Sequence, residues 1–107
     1  EDYPSADLFD VVYCSEVIEH VGDANRFLAA TAHLMKPDAL LYLTTPDISH
    51  WRRPKDINGW DAFCPPAHCL YFNPVNLTKI LARHGLRVIR RHWAWKPGIK
   101  LYARRNP

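Results

Sequence analysis

Glu16, Glu19 and His20 stand at positions i, i+3 and i+4 of one another. On a helix that spacing puts two carboxylates and an imidazole on one face, with Val17, Ile18 and Val21 on the opposite one. Such a set can hold a divalent cation, with His68 as a fourth ligand from a later loop. Donors rich in carboxylate favour Mg²⁺ or Mn²⁺. A cation there would bind substrate hydroxyls, lower their pKa and orient one oxygen. The alternative is that Glu16 caps its turn or lines a ligand pocket while Glu19 and His20 are surface polar groups. A second cluster, Cys64, His68 and Cys69 together with Cys14, could be imagined around zinc. Its spacing is irregular and lacks a Cys-x2-Cys pair, which weighs against that site.

The elements that must position these groups follow from periodicity and punctuation. Residues 9 to 14, Phe-Asp-Val-Val-Tyr-Cys, form a short apolar run that reads as a buried strand. Residues 16 to 21 read as helical. Gly22 interrupts, and Asp23 caps a second helix running to about Met35, with Phe27, Thr31, Leu34 and Met35 at helical spacing. Lys36-Pro37 stops it. Residues 39 to 45 are nearly all apolar, as in a strand covered on both faces. Residues 46 to 73 form a long proline- and tryptophan-bearing connection, and a connection of that length is usually functional. Its aromatics, Trp51, Trp60, Phe63, Tyr71 and Phe72, suit either stacking on a flat substrate or filling a small core.

Asn73-Pro74 supplies a cap and a first-turn proline for a helix whose Leu77, Ile80, Leu81 and His84 share one face. Gly85 is placed to end it. Residues 86 to 93 and 99 to 104 read as strands joined by the turn Trp95-Lys96-Pro97-Gly98, and so as an antiparallel pair. The first part is a βαβ unit, which closes right-handed. The whole reads as an α/β fold with a mixed sheet and flanking helices.

With 107 residues, 48% of them hydrophobic, the chain suits one small globular domain. No stretch approaches the ~20 apolar residues of a membrane helix, so no membrane partner is expected. Three cysteines cannot all pair within the chain, which favours a reducing, cytoplasmic setting. The net charge of +3 conceals an acidic beginning and a basic end, the latter including Arg87, Arg90, Arg91, Lys100, Arg104 and Arg105. A basic end of this kind can meet nucleic acid, or form a solvated face.

Three segments in register carry a family resemblance. Phe9-Asp10-Val11-Val12 followed by Glu16-Val17-Ile18-Glu19-His20-Val21 is the first. Leu34-Met35-Lys36-Pro37 followed by Leu41-Tyr42-Leu43-Thr44-Thr45-Pro46-Asp47 is the second. Pro66-Ala67-His68-Cys69-Leu70-Tyr71-Phe72 followed by Leu77, Leu81 and His84-Gly85-Leu86 is the third. Together they resemble class I S-adenosylmethionine-dependent methyltransferases. The resemblance implies a partial Rossmann-like sheet made of that fold's fourth to seventh strands, in spatial order 4-5-7-6 with the last strand antiparallel. It implies that Cys14, Ser15 and Glu16, just beyond the first strand, contact S-adenosylmethionine. It also implies that His20 or His68 serves as general base for a hydroxyl substrate. Members resembling this pattern include ubiquinone-pathway O-methyltransferases and small-RNA 2′-O-methyltransferases, in which Glu-x-x-Glu-His and a later His bind a metal. Here that set would be Glu16, Glu19, His20 and His68, with Mg²⁺.

Two departures qualify the match. Asp38-Ala39 stands where the family usually has Gly-Gly, so a differently shaped turn is expected. The family's glycine-rich first loop is missing: Gly22, Gly59, Gly85 and Gly98 are the only glycines, and none belongs to such a loop. Residues 1–107 therefore read as the C-terminal part of one methyltransferase domain, inactive by itself, with the first strand a bare edge open to self-association. A small-molecule hydroxyl is the expected acceptor. The competing readings are a metal-dependent RNA 2′-O-methyltransferase and a non-catalytic half-fold interaction module.

Overall fold

The computed structural model describes residues 8–56, 70–93 and 95–107. The four strands β1 (Phe9–Ser15), β2 (Met35–Pro46), β3 (Leu86–His92) and β4 (Gly98–Arg105) form one sheet in the order β1-β2-β4-β3. β1 and β2 are parallel; β4 runs antiparallel to both β2 and β3. This is the spatial order that the resemblance implies, with the last strand inserted between its two predecessors.

Helices α1 (Ala24–His33) and α2 (Pro74–Arg83) lie together on one face of the sheet. Leu28 of α1 and Leu77 and Leu81 of α2 are fully buried in one core with Leu41 and Leu43 of β2 and Leu101 of β4. Burying each such side chain stabilises the fold by roughly 1.5–3 kcal/mol. The His84 ring, just past α2, bonds Asn25 Oδ1 at 3.0 Å and ties the helices to each other. Both helices start as the sequence indicates. Asp23 accepts from Arg26 N, and Asn73 and Asn76 form a reciprocal capping box with Pro74 in the first turn. Gly85 ends α2 at φ 71°, in the left-handed region.

The other face of the sheet carries no helix among the described residues. Along β1, Phe9, Val11 and Tyr13 project there, 43%, 60% and 69% exposed, while Cys14 turns into the core. β1 is thus buried on one face rather than two. Among the described residues it is also a sheet edge, paired with β2 alone. On the helix-free face an aromatic row crosses all four strands. Tyr13 stacks on Tyr42 at 5.1 Å, Tyr42 meets Tyr102 at 4.9 Å, and His92 meets Tyr102 at 5.6 Å. Cross-strand aromatic contacts of this kind help fix register.

β2 begins earlier than the apolar run suggests. α1 ends at His33, Leu34 caps it, and the strand starts at Met35. Pairing moves from Phe9↔Met35 to Val11↔Leu40, two steps on β1 against five on β2, so Lys36–Ala39 bulge outward. A bulge is where a strand tolerates proline, and Pro37 sits in it. Asp38 adopts φ 65°, the left-handed conformation that glycine favours and aspartate tolerates. Two residues of the basic end close this bulge: Arg104 Nη1 donates to the Asp38 carbonyl at 2.7 Å, and Arg105 Nη1 donates to the Met35 carbonyl.

Candidate functional site

The carboxyl end of β1 meets that of β2, because the two strands are parallel and Ser15 pairs with Thr44. In open α/β sheets ligands bind beyond these strand ends. Glu16, the first residue past β1, has φ 56°. A non-glycine residue held there marks a position whose surroundings over-determine it. Thr44 supplies that constraint. Glu16 N donates to the Thr44 carbonyl at 2.9 Å and to Thr44 Oγ1 at 3.2 Å. The Thr44 hydroxyl in turn donates to Glu16 Oε2 at 2.9 Å. With its own proton so used, Thr44 Oγ1 accepts from Ser15 Oγ at 3.0 Å. Ser15, Glu16 and Thr44 therefore form one knot at the strand tips.

Residues 16 to 21 do not form the expected amphipathic helix. A single 3₁₀ turn, Ile18–His20, replaces it, and Glu16 lies outside the turn. Ile18 fills the core, Val17 is exposed, and Glu19 is 1% exposed. Glu19 Oε1 accepts from Thr45 Oγ1 at 2.9 Å. Thr44 and Thr45 are consecutive in β2, so their side chains project from opposite faces of the sheet. Thr45 pairs with buried Ile99 on the helix side; Thr44 pairs with exposed Lys100 on the other. Glu16 and Glu19 are thus anchored on opposite sides of one strand, contrary to the single polar face read from their spacing. A 3₁₀ turn has three residues per turn rather than 3.6, and this one begins too late to include Glu16.

His20 lies beside Glu19, its Nε2 3.9 Å from Glu19 Oε2, with its side chain 44% exposed. That separation is electrostatic contact, beyond hydrogen-bond range. Glu19 Oε2 is buried with no hydrogen-bond partner among the described residues. His68 lies outside the described residues, as do Cys64 and Cys69 of the zinc reading. Among the described residues no three His, Cys, Asp or Glu side chains gather as a metal would require. The donor set of Glu16, Glu19 and His20 does not fit a shared cation as arranged, since the carboxylates are committed to different threonines on different faces.

Cys14 is a free, buried thiol whose pKa is pushed up by that burial. Its side chain belongs to the core, so only its backbone is available to a ligand at the strand tip. Of the loop aromatics, Phe72 is buried in the core and Trp51 is exposed, while Trp60 and Phe63 lie outside the described residues. Sequence reading missed Thr44 and Thr45. The signal was present, since two hydroxyls closing an otherwise apolar strand are costly to bury unless they have work to do at its end. It also missed Trp93 and Trp95, which flank the β3–β4 turn and pack on each other at 5.4 Å.

The sequence of residues 1–91 matches the family model described as a methyltransferase domain. The chain belongs to that methyltransferase domain family. Among curated methyltransferases, it is similar to the ubiquinone biosynthesis O-methyltransferase of Rhodopseudomonas palustris strain HaA2. That match is 32% identical over 82 residues, covering 63% of this chain and 32% of the relative. The chain spans about a third of the length of the curated methyltransferases it matches. In fold it is similar to the mitomycin 7-O-methyltransferase MmcR, with a TM-score of 0.75 and 24% identity over 92% of this chain and 30% of that one. It is also similar to a Burkholderia thailandensis N1-methyltransferase with bound S-adenosylhomocysteine. There the TM-score is 0.71 at 15% identity, covering 99% of this chain and 48% of the other. This methyltransferase domain also has no described helix long and apolar enough to cross a membrane.

Proposed function

We propose that residues 1–107 are the C-terminal part of an S-adenosylmethionine-dependent methyltransferase that transfers a methyl group to a hydroxyl of a small molecule. The observation that carries this reading is Glu16, held at φ 56° by Thr44 at the carboxyl end of a parallel strand pair. S-adenosylmethionine bears a positive sulfonium and an amino group, and a fixed carboxylate at the strand tip suits that charge. Glu16 through its carboxylate, with Ser15 and the backbone of Cys14, would hold it. When bound, the cofactor supplies an already activated methyl group, and little covalent chemistry is left to the protein.

The remaining tasks are alignment and proton removal. In this reading His20 would take the proton of the acceptor hydroxyl, while the bound cofactor would supply the methyl group. Glu19, buried beside it, places a carboxylate oxygen 3.9 Å from the imidazole Nε2. His68 remains the alternative base. No step is routed through a metal. The acceptor in this reading is a small molecule; of the basic end, Arg104 and Arg105 are committed to the carbonyls of the β2 bulge. The similarity to ubiquinone biosynthesis O-methyltransferases supports the same acceptor class. A cytosolic setting belongs to this reading, in keeping with the free Cys14 thiol.

The test is calorimetric titration of S-adenosylhomocysteine into the protein encoded by the complete reading frame, with Mg²⁺ and with EDTA. Micromolar binding that Glu16→Ala weakens at least tenfold, and that EDTA leaves unchanged, supports the proposal. Absence of binding, with no glycine-rich strand–turn–helix upstream, would instead favour a non-catalytic module built on the same half-fold.

A further inference from the structure

A cavity of about 360 Å³ opens beyond the carboxyl end of β2, at the same end of the sheet as Glu16. That volume accommodates a small ring system. Two of its walls are the indoles of Trp51 and Trp93, 67% and 72% exposed. Trp95 joins them, 5.5 Å from Trp51 and 5.4 Å from Trp93, so the three indoles form one continuous aromatic rim. Large aromatic groups exposed in a cluster beside a cavity mark a binding surface more than a packing need.

The polar lining is lopsided. Among the described residues, Arg91, His50 and His92 border the cavity, and Asp47 is the single carboxylate. Asp47 Oδ1 is turned into its own loop, where it accepts from Ser49 N at 2.9 Å and from Ser49 Oγ at 2.7 Å. Arg52 adds a second positive charge at the rim, its guanidinium 4.2 Å over Trp95 and 5.6 Å from the Trp51 ring. The indole rim therefore already stacks one flat π-system, and among the described residues the charge around the cavity is net positive. Guanidinium groups bind carboxylate-like anions through paired, charge-assisted hydrogen bonds.

We infer that this cavity binds a planar aromatic ring carrying an anionic group, the ring stacked on Trp51 and Trp93 and the anion paired with Arg91. This names the class of the methyl acceptor, and to that extent rests on the methyl-transfer reading; ring binding itself does not.

The test follows the four indole N–H signals of the chain in ¹H–¹⁵N spectra, without cofactor. The probes are 1-naphthoate, 1-naphthylmethylammonium and cyclohexanecarboxylate. Naphthoate should shift the Trp51 and Trp93 signals saturably, with the other two probes at least tenfold weaker. Arg91→Gln should weaken naphthoate at least tenfold, and Trp93→Ala should abolish its saturation. If Trp93→Ala loses spectral dispersion, Trp51→Ala in the exposed loop carries the same expectation. No saturable shift, an equal response to the ammonium probe, or unchanged binding in Arg91→Gln would overturn the inference. Such a failure leaves S-adenosylhomocysteine binding untouched, and a failure of that binding leaves the naphthoate result standing.

Discussion

Thr45 Oγ1 donates a 2.9 Å hydrogen bond to Glu19 Oε1, the single described hydrogen bond to a carboxylate that is 1% exposed. Its neighbour Thr44 makes the equivalent bond to Glu16 on the opposite side of the sheet. Removing the donor beside Glu19 strands a buried polar group, which costs about 1–3 kcal/mol. Thr45→Val should therefore lower unfolding stability by that amount in a urea titration. Thr45→Ser should retain most of it. Equal stability of Thr45→Val and the parent chain would show that Glu19 does not depend on this bond.

Burial raises the pKa of the Cys14 thiol, and partial burial beside Tyr13 and Tyr102 raises that of Tyr42. In both cases the folded state holds its proton to higher pH than the unfolded state does. Between the two pKa values the unfolded chain binds fewer protons, so stability falls as pH rises. The contribution is fully present at neutral pH and is lost above about 8.5–9 for Cys14 and above about 10 for Tyr42. Melting temperature should decline across that window, and Cys14→Ala should remove the earlier part of the decline. Iodoacetamide should label Cys14 at neutral pH only at the rate of unfolding.

Two positions test the left-handed backbone. At Asp38, φ 65°, glycine should be accepted without loss, whereas Asp38→Val should cost about 1–2 kcal/mol. At Gly85, φ 71°, an added Cβ would meet only Asn106 Nδ2 at an ordinary 3.9 Å. The cost of Gly85→Ala is therefore backbone strain, about 1 kcal/mol. Thermal denaturation of the variants checks both values.

The outer edge of β1 has no partner strand among the described residues, and it lies beside exposed Phe9, Val11 and Tyr13. Such an edge invites association. Sedimentation velocity should find concentration-dependent self-association of the chain, and Val11→Lys should reduce it. A concentration-independent monomer would rule this out.

Much of the architecture was legible in order along the chain. Asp23, the Asn73-Pro74 pair and Gly85 announce helix ends because capping and left-handed turns are local chemistry. The apolar runs announce strands, and the turn before Gly98 announces the antiparallel pair. The early start of β2 was not legible, because Lys36-Pro37 looks like a helix stop and only pairing with β1 turns it into a bulge.

The site divides in the same way. Sequence by itself determined which groups stand just past β1, since their order follows from covalent connection. Whether Glu16 and Glu19 share a face was decided only by tertiary structure. That depends on alternate residues of a different strand, Thr44 and Thr45, and on a turn too short to bring i and i+3 together. The indole rim is likewise a product of folding, because Trp51 and Trp95 lie 44 positions apart and meet only where the ends of β2 and β3 converge.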